Sequence, residues 1–140
     1  MKNISIDDGR EAITINGDPE RVIYIQPSDF NIKIRAQEAQ KNIQEYIKKT
    51  KNIKPKTVAD CIIFLDEADK ECRKQINLIF NYDVSTPVFG ACSPLMPLSN
   101  GKVYVEAFLE AIVPELEKIS KKATLSIERR IAKHSGKYDK

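Results

Sequence analysis

The sequence predicts an α+β fold: a small N-terminal antiparallel β-meander of about three strands, then three to four α-helices. Three observations predict it. Short β-branched runs punctuated by Asp-Gly and Asn-Gly fill the first 26 residues. Apolar residues recur every three or four positions through most of the remaining chain. Hydrophobic residues make up 41% and charged residues 31% of the 140-residue chain, the balance of a soluble, helix-rich protein. A chain of this length is expected to form one domain, over residues 1–134, with a flexible tail at 135–140.

The meander occupies residues 1–26. Ile4-Ser5-Ile6 alternates as a strand does, and Asp7-Asp8-Gly9 is a turn signal. Ala12-Ile13-Thr14-Ile15 is a second strand, Asn16-Gly17-Asp18-Pro19 a second turn, and Arg21–Ile25 a third strand. Alternation places Ile23 and Ile25 on the face opposite Val22 and Tyr24. A sheet this small needs a helix over its apolar face.

The first helix spans residues 28–50, with Ser28 or Asp29 as its cap. Ile32, Ala36, Ala39, Ile43 and Ile47 line one face. Asn52-Ile53-Lys54-Pro55 breaks it, because proline cannot continue the backbone ladder. A second helix spans 57–82 with Thr57 as N-cap. Val58, Cys61, Ile62, Leu65, Ala68, Cys72, Ile76 and Ile79 form its apolar stripe, widened by Ile63, Phe64, Leu78 and Phe80. A stripe this wide predicts burial on more than one side, so Leu65→Ala is expected to cost about 2–5 kcal/mol.

Residues 83–101 show no helical period. Pro87, Pro94 and Pro97 stiffen this loop and Gly90 permits a bend, yet Val88, Phe89, Leu95, Met96 and Leu98 make it apolar. Such a loop either packs on the core or meets a partner. The last helix covers 102–134, with Val105, Leu109, Ile112, Leu116, Ile119 and Ala123 in a heptad-like seam. Pro114 either kinks it or splits it in two at Val113. Ser135-Gly136 ends it.

The charge is unevenly spread. Residues 118–140 hold eight Lys/Arg against Glu128 and Asp139, whereas the whole chain carries +3. Lys121, Lys122, Arg129, Arg130 and Lys133 make a basic patch, and Lys48–Lys56 a second basic segment. Such segments can bind nucleic acid or acidic surfaces, and more often they are solvated helix ends. No run approaches the length of a bilayer span, and the N-terminus has no signal-peptide core, so a cytoplasmic location is expected. Cys61, Cys72 and Cys92 contain no Cys-x-x-Cys pair, which fits reduced thiols. Cys61 and Cys72 share a helical face with apolar residues and read as core.

No constellation calls for catalysis, a metal or a cofactor. His134, the only histidine, stands among basic residues near the C-terminus. Asp66 and Asp69 have a spacing that could share a metal, but Lys70 follows Asp66 at i+4, as on an ordinary mixed-charge face. The spacing of Cys61, Cys72, Cys92 and His134 matches no zinc module. The glycines form no phosphate-binding pattern, and the tyrosines form no stacking platform.

The order of elements resembles the tail assembly chaperones of long-tailed phages and prophages of Gram-positive bacteria. The residues that carry the resemblance are Ile4–Ile15, Gln26-Pro27-Ser28-Asp29-Phe30, Cys61–Phe80, Val88-Phe89-Gly90 and Tyr104–Pro114. It covers the chain to about Lys118 and leaves out the basic tail. It implies a non-enzymatic protein that holds a tape-measure protein, a tail-tube protein or both, and that self-associates. Some members of the family are also made as a longer frameshifted product. Phe89, Leu95, Met96, Leu98, Leu109, Ile112 and Leu116 are the candidate contact residues, with intramolecular packing as their alternative role. A small nucleic-acid-binding or regulatory protein using segments 48–56 and 118–140 is the alternative function.

Overall fold

The computed structural model describes residues 1–51 and 54–138. The expected break at Asn52-Ile53 and the last two residues of the expected tail lie outside the described residues. The chain is α+β: an antiparallel hairpin of β1 (Glu11–Ile15) and β2 (Asp18–Ile25), then helices α1 (Ile32–Lys51), α2 (Val58–Phe80), α3 (Ser85–Phe89) and α4 (Tyr104–Tyr138).

The hairpin turns at Asn16-Gly17, whose φ angles of 53° and 70° are the left-handed conformations a two-residue turn demands. Pairing runs from Glu11↔Ile25 to Thr14↔Val22 and then slips to Ile15↔Asp18, so Pro19 is accommodated in an irregularity rather than in the ladder. Ile23 and Ile25 are buried and Tyr24 is exposed, as alternation predicts. The sheet has two strands, not three. Ile4 and Ile6 are exposed, and Asp7 and Asp8 instead fold their carboxylates onto the backbone N–H groups of Gly9 and Arg10. That local bonding competes with a ladder. The outer edge of β2 is capped by the Tyr82 hydroxyl, which accepts from Tyr24 N at 2.6 Å and donates to Tyr24 O at 3.1 Å.

Helices α1 and α2 pack as an antiparallel pair. Arg35 donates to the Ile79 carbonyl at 2.9 Å and grips the Asp29 carboxylate with both terminal nitrogens. Farther along, Asn42 donates to Gln75 at 3.2 Å. Asp29 is thus engaged by an arginine. Thr57 does cap α2, its hydroxyl accepting from Asp60 N at 3.1 Å. Asn81 closes α2 at φ 63°, its N–H bonded to Asn77 O.

The segment after α2 is built differently from the expected loop. Its first residues form the short helix α3. Asn77 Oδ1 accepts from both Val84 N (2.9 Å) and Ser85 N (2.8 Å), and Asp83 accepts from the Ser85 and Thr86 hydroxyls. The Thr86 and Ser85 bonds hold the Asp83 carboxyl below the usual carboxylate range. Beyond Gly90, the backbone of 94–105 folds on itself through Pro94 O, Met96 O and a Pro97↔Val103 bridge, which pairs part of its backbone internally.

Helix α4 runs unbroken through Pro114, which is exposed, and on past Ser135-Gly136 to Tyr138. A proline is tolerated there because the turn it disrupts faces water: Glu110, whose carbonyl loses its partner, is exposed. The core joins Ile23 and Ile25 of the sheet to Ile43 of α1, Ile76 of α2, Val88 and Phe89 of α3, and Leu109 and Leu116 of α4. Its last member is Ile119, and every described residue from Thr124 to Lys133 is exposed. Among the described residues, no helix is long and apolar enough to cross a membrane.

Candidate interaction surfaces

Phe89 is the pivot of the segment between α2 and α4. Its ring meets Tyr104 edge-on at 5.3 Å and Phe108 at 6.3 Å, and the Arg73 guanidinium sits 5.6 Å from its centroid. Two arginines clamp the surrounding backbone. From β2, Arg21 donates to Pro87 O at 2.7 Å, to Val88 O and to the Tyr104 hydroxyl. From α2, Arg73 donates to Gly90 O at 2.9 Å and Cys92 O at 3.0 Å, and Asp69 balances its charge at 3.1 Å. Polar side chains from two elements therefore hold the apolar loop down on the core.

That geometry places most of the candidate contacts in the core. Phe89, Leu109, Ile112 and Leu116 are all at most 3% exposed and belong to the core. A partner cannot reach Phe89, Leu109 or Leu116 without opening the fold, whereas Ile112 borders a surface groove. Leu95 and Leu98 are half-buried, and Met96 is exposed at 37%. Leu98 closes one end of a groove between β1 and α4, floored by Ile13, Ile15, Phe108 and Ile112. Met96 and Leu95 line a shallower depression beside Leu65 and Asp69 of α2. Of the loop's candidate contacts, only Met96 is open to a partner over a large part of its side chain.

The structure opens apolar surface elsewhere. The expected stripe of α2 is buried at Ala68, Cys72, Ile76 and Ile79 but exposed at Val58 (78%), Ile62 (63%) and Leu65 (48%). Ile63 is 57% exposed on another side of the same turns. The large loss expected for Leu65→Ala therefore does not apply. Periodicity assigns these residues to the core because it reports the direction of a helical face, not how much of its length is covered. The legible signal is the width of the stripe.

The basic patch is also fully presented. Lys121, Lys122, Arg129, Arg130 and Lys133 are exposed on α4, with Leu125 set among them. Ile127 and Ile131 are exposed at 45% and 60%. The side chain of His134 lies outside what the structure describes. The second basic segment, Lys48, Lys49, Lys54 and Lys56, is exposed around the α1–α2 connection.

The cysteines differ from one another. Cys72 is buried, and burial first, then Asp69 and Glu71, push its thiol up to about 12. Such a thiol stays protonated and unreactive. Cys61 is half-buried and Cys92 exposed. Burial beside Cys72, Glu67 and Glu71 likewise raises the Tyr46 hydroxyl. Among the described residues, no group of three His, Cys, Asp or Glu side chains is placed to hold a metal ion.

Comparisons with protein-family models, curated proteins and solved structures find no match for this chain.

Proposed function

We propose that this protein is a non-enzymatic assembly protein that holds a helical client against its surface, a tail assembly chaperone of a phage or prophage. The observation that carries this reading is the apolar surface left on two stretches of helix outside a well-formed core. Val58, Ile62, Ile63 and Leu65 stand on α2, and Leu125, Ile127 and Ile131 on α4. Exposed Leu, Ile and Val side chains at helical spacing are what a groove-binding or helix-binding partner recognises. The clients are a tape-measure protein, a tail-tube protein or both, met in the cytoplasm where the particle assembles. The residues that meet them are Met96 and the exposed α2 and α4 side chains; Phe89, Leu109, Ile112 and Leu116 shape the scaffold behind.

Co-expression with the tape-measure and tail-tube proteins of the phage or prophage that carries this chain's gene tests the reading. The expected result is a soluble complex that survives purification. A tape-measure protein that stays insoluble, or elutes apart from this chain, overturns it.

One observation favours a second reading. Lys118, Lys122, Arg129 and Lys133 fall along one side of a freely exposed helix, a spacing suited to a phosphate backbone. Retention of DNA or RNA that weakens steeply with salt, and that is lost on neutralising Lys121, Lys122, Arg129 and Arg130, would place nucleic acid first.

A further inference from the structure

We propose that the free edge of β1 is a docking site for an extended peptide of a partner, which adds to the sheet as a further strand and carries apolar residues flanked by Lys or Arg. This partner is a strand, unlike the helical client of the assembly reading, and the two stand or fall separately.

The two edges of the hairpin differ. On β2, the N–H and C=O of Tyr24 point away from β1, because both bond the Tyr82 hydroxyl. Tyr24 lies opposite Ala12. In an antiparallel pair, residues that face each other turn their backbone groups either both inward or both outward, and the state alternates along the strand. Ala12 and Thr14 therefore turn their N–H and C=O groups out of the far edge of β1. No hydrogen bond reaches those groups from another part of the fold among the described residues, and both residues are exposed. A bare edge of this kind recruits a strand, since an extended backbone offers a donor and an acceptor at every second residue. A helix spends those groups internally and cannot answer it.

A groove of about 560 Å³ runs beside that edge. Ile13 and Ile15, half-buried, floor it from β1, and Phe108 and Ile112 from α4. Its α4 wall is Ala107 and Ala111, small enough to leave room for the side chains of an added strand. Alternation turns every second residue of such a strand into the groove. The apolar floor ends at carboxylates. Arg21 of β2 bonds the Tyr104 hydroxyl, which sets the start of α4 near the turn end of the hairpin. Lys33, in the first turn of α1 beyond the other end of β2, meets Glu117 at 3.4 Å. Helix α4 thus runs against β1: from Tyr104 to Glu115 it rises about 16 Å, while Ile15 to Glu11 spans about 13 Å. Glu115 lines the groove, and Glu11, half-buried, shares the β1 face of Ile13 and Ile15. Lys118 approaches Glu115 at 3.5 Å, while Glu11 has no ion-pair partner among the described residues. Both acids border the apolar seam itself, and one positive charge answers two negative. A basic side chain two residues beyond the peptide's apolar pair completes the balance.

The probe is the end-blocked peptide Lys-Thr-Ile-Thr-Ile-Thr-Lys, which sets both isoleucines and both lysines on one face and so fits in either chain direction. Its control is Glu-Thr-Ile-Thr-Ile-Thr-Glu. Against the purified full chain in isothermal titration, the lysine peptide is expected to bind saturably, and the glutamate peptide about fivefold or more weaker at low salt. Amide exchange followed by NMR should show the Ala12 and Thr14 N–H groups protected on saturation. Thr14→Pro removes one outward N–H at an edge position where proline is tolerated, and Ala111→Arg fills the exposed wall of the groove. Each should lose binding while keeping wild-type helicity by circular dichroism. Glu11→Lys/Glu115→Lys should reverse the preference between the two peptides, an outcome that damage to the fold would not produce. The proposal is overturned by a lysine peptide that does not saturate, by binding that leaves the Ala12 and Thr14 amides unprotected, or by equal affinity for the two peptides. It is also overturned by self-association of the peptide-free chain that deletion of residues 1–6 abolishes, which would give the edge to Ile4-Ser5-Ile6 of a second copy.

Discussion

Asn77 shows how much one side chain organises here. Its backbone carbonyl takes the Asn81 N–H that closes α2, and its Oδ1 takes the Val84 and Ser85 N–H groups that open α3. Val84 is 0% and Ser85 4% exposed, so neither N–H has ready access to water. An unpartnered buried donor costs about 1–3 kcal/mol, and Asn77→Ala leaves two. The variant is expected to lose at least about 2 kcal/mol of unfolding free energy in urea denaturation, with an unchanged m-value. Asn77→Asp keeps the acceptor but sets a second carboxylate beside Asp83, so it should fall between wild type and alanine; a loss as large as alanine's that persists at high salt would mean that the two bonds are not the cause. Nothing in the sequence marks Asn77, because an asparagine amid an apolar stripe reads as one more solvent-facing position. Arg21 and Arg73 are silent for the same reason. Their partners in the segment they clamp are backbone carbonyls of residues 85–92, and a carbonyl is the same whatever the sequence around it. Thr57 is legible because capping is local: the hydroxyl and the N–H it accepts are three residues apart.

At the scale of elements, legibility needs a strong local cause. Asn16-Gly17 specifies the hairpin turn, and the spacing of Ile32, Ala36, Ala39 and Ile43 specifies the buried face of α1. The illegible elements depend on competition. Ile4-Ser5-Ile6 alternates well enough for a strand, but the Asp7 and Asp8 carboxylates hold the adjoining turn in another conformation. Residues 85–89 are too few to display a helical period, so α3 is invisible to it. Pro114 is legible as a strain and not as an outcome, since tertiary packing of Ile112 and Leu116 on the core carries the helix across it. That strain is removable. Pro114 is exposed, and alanine there restores a donor to the Glu110 carbonyl without altering the buried face. Proline costs about 3 kcal/mol relative to alanine in a helix interior, and part of that is already relieved by water at an exposed turn. Pro114→Ala should therefore raise stability by about 1–2 kcal/mol, seen as a higher thermal midpoint. A lower midpoint would mean that the proline at 114 is needed to seat Ile112 and Leu116.

For the whole molecule, the decisive division is between helix that is covered and helix that is not. Core burial draws on every element, yet it ends at Ile119 on α4 and begins at Ala68 on α2. Sequence periodicity continues smoothly through both points, and for that reason it marks the open surfaces as core. Stability tracks buried apolar area, about 25 cal/mol per Å², and not helix length. Removing residues 125–140 therefore takes away exposed helix and five of the chain's 23 Lys/Arg, but no buried side chain among the described residues. A chain ending at Thr124 is expected to unfold within about 3 °C of the full chain, no more than the shift that about 1 kcal/mol produces in a domain of this size. Its far-UV signal should fall by roughly the helix removed, and Ala123, half-buried, marks where the cut begins to matter. A midpoint lowered by about 8 °C or more would show that distal α4 leans on the body of the same chain. A midpoint that holds while concentration-dependent association disappears would assign that stretch to contacts between molecules, because the residues that fold the domain and the residues that join one copy to the next would then be physically separate.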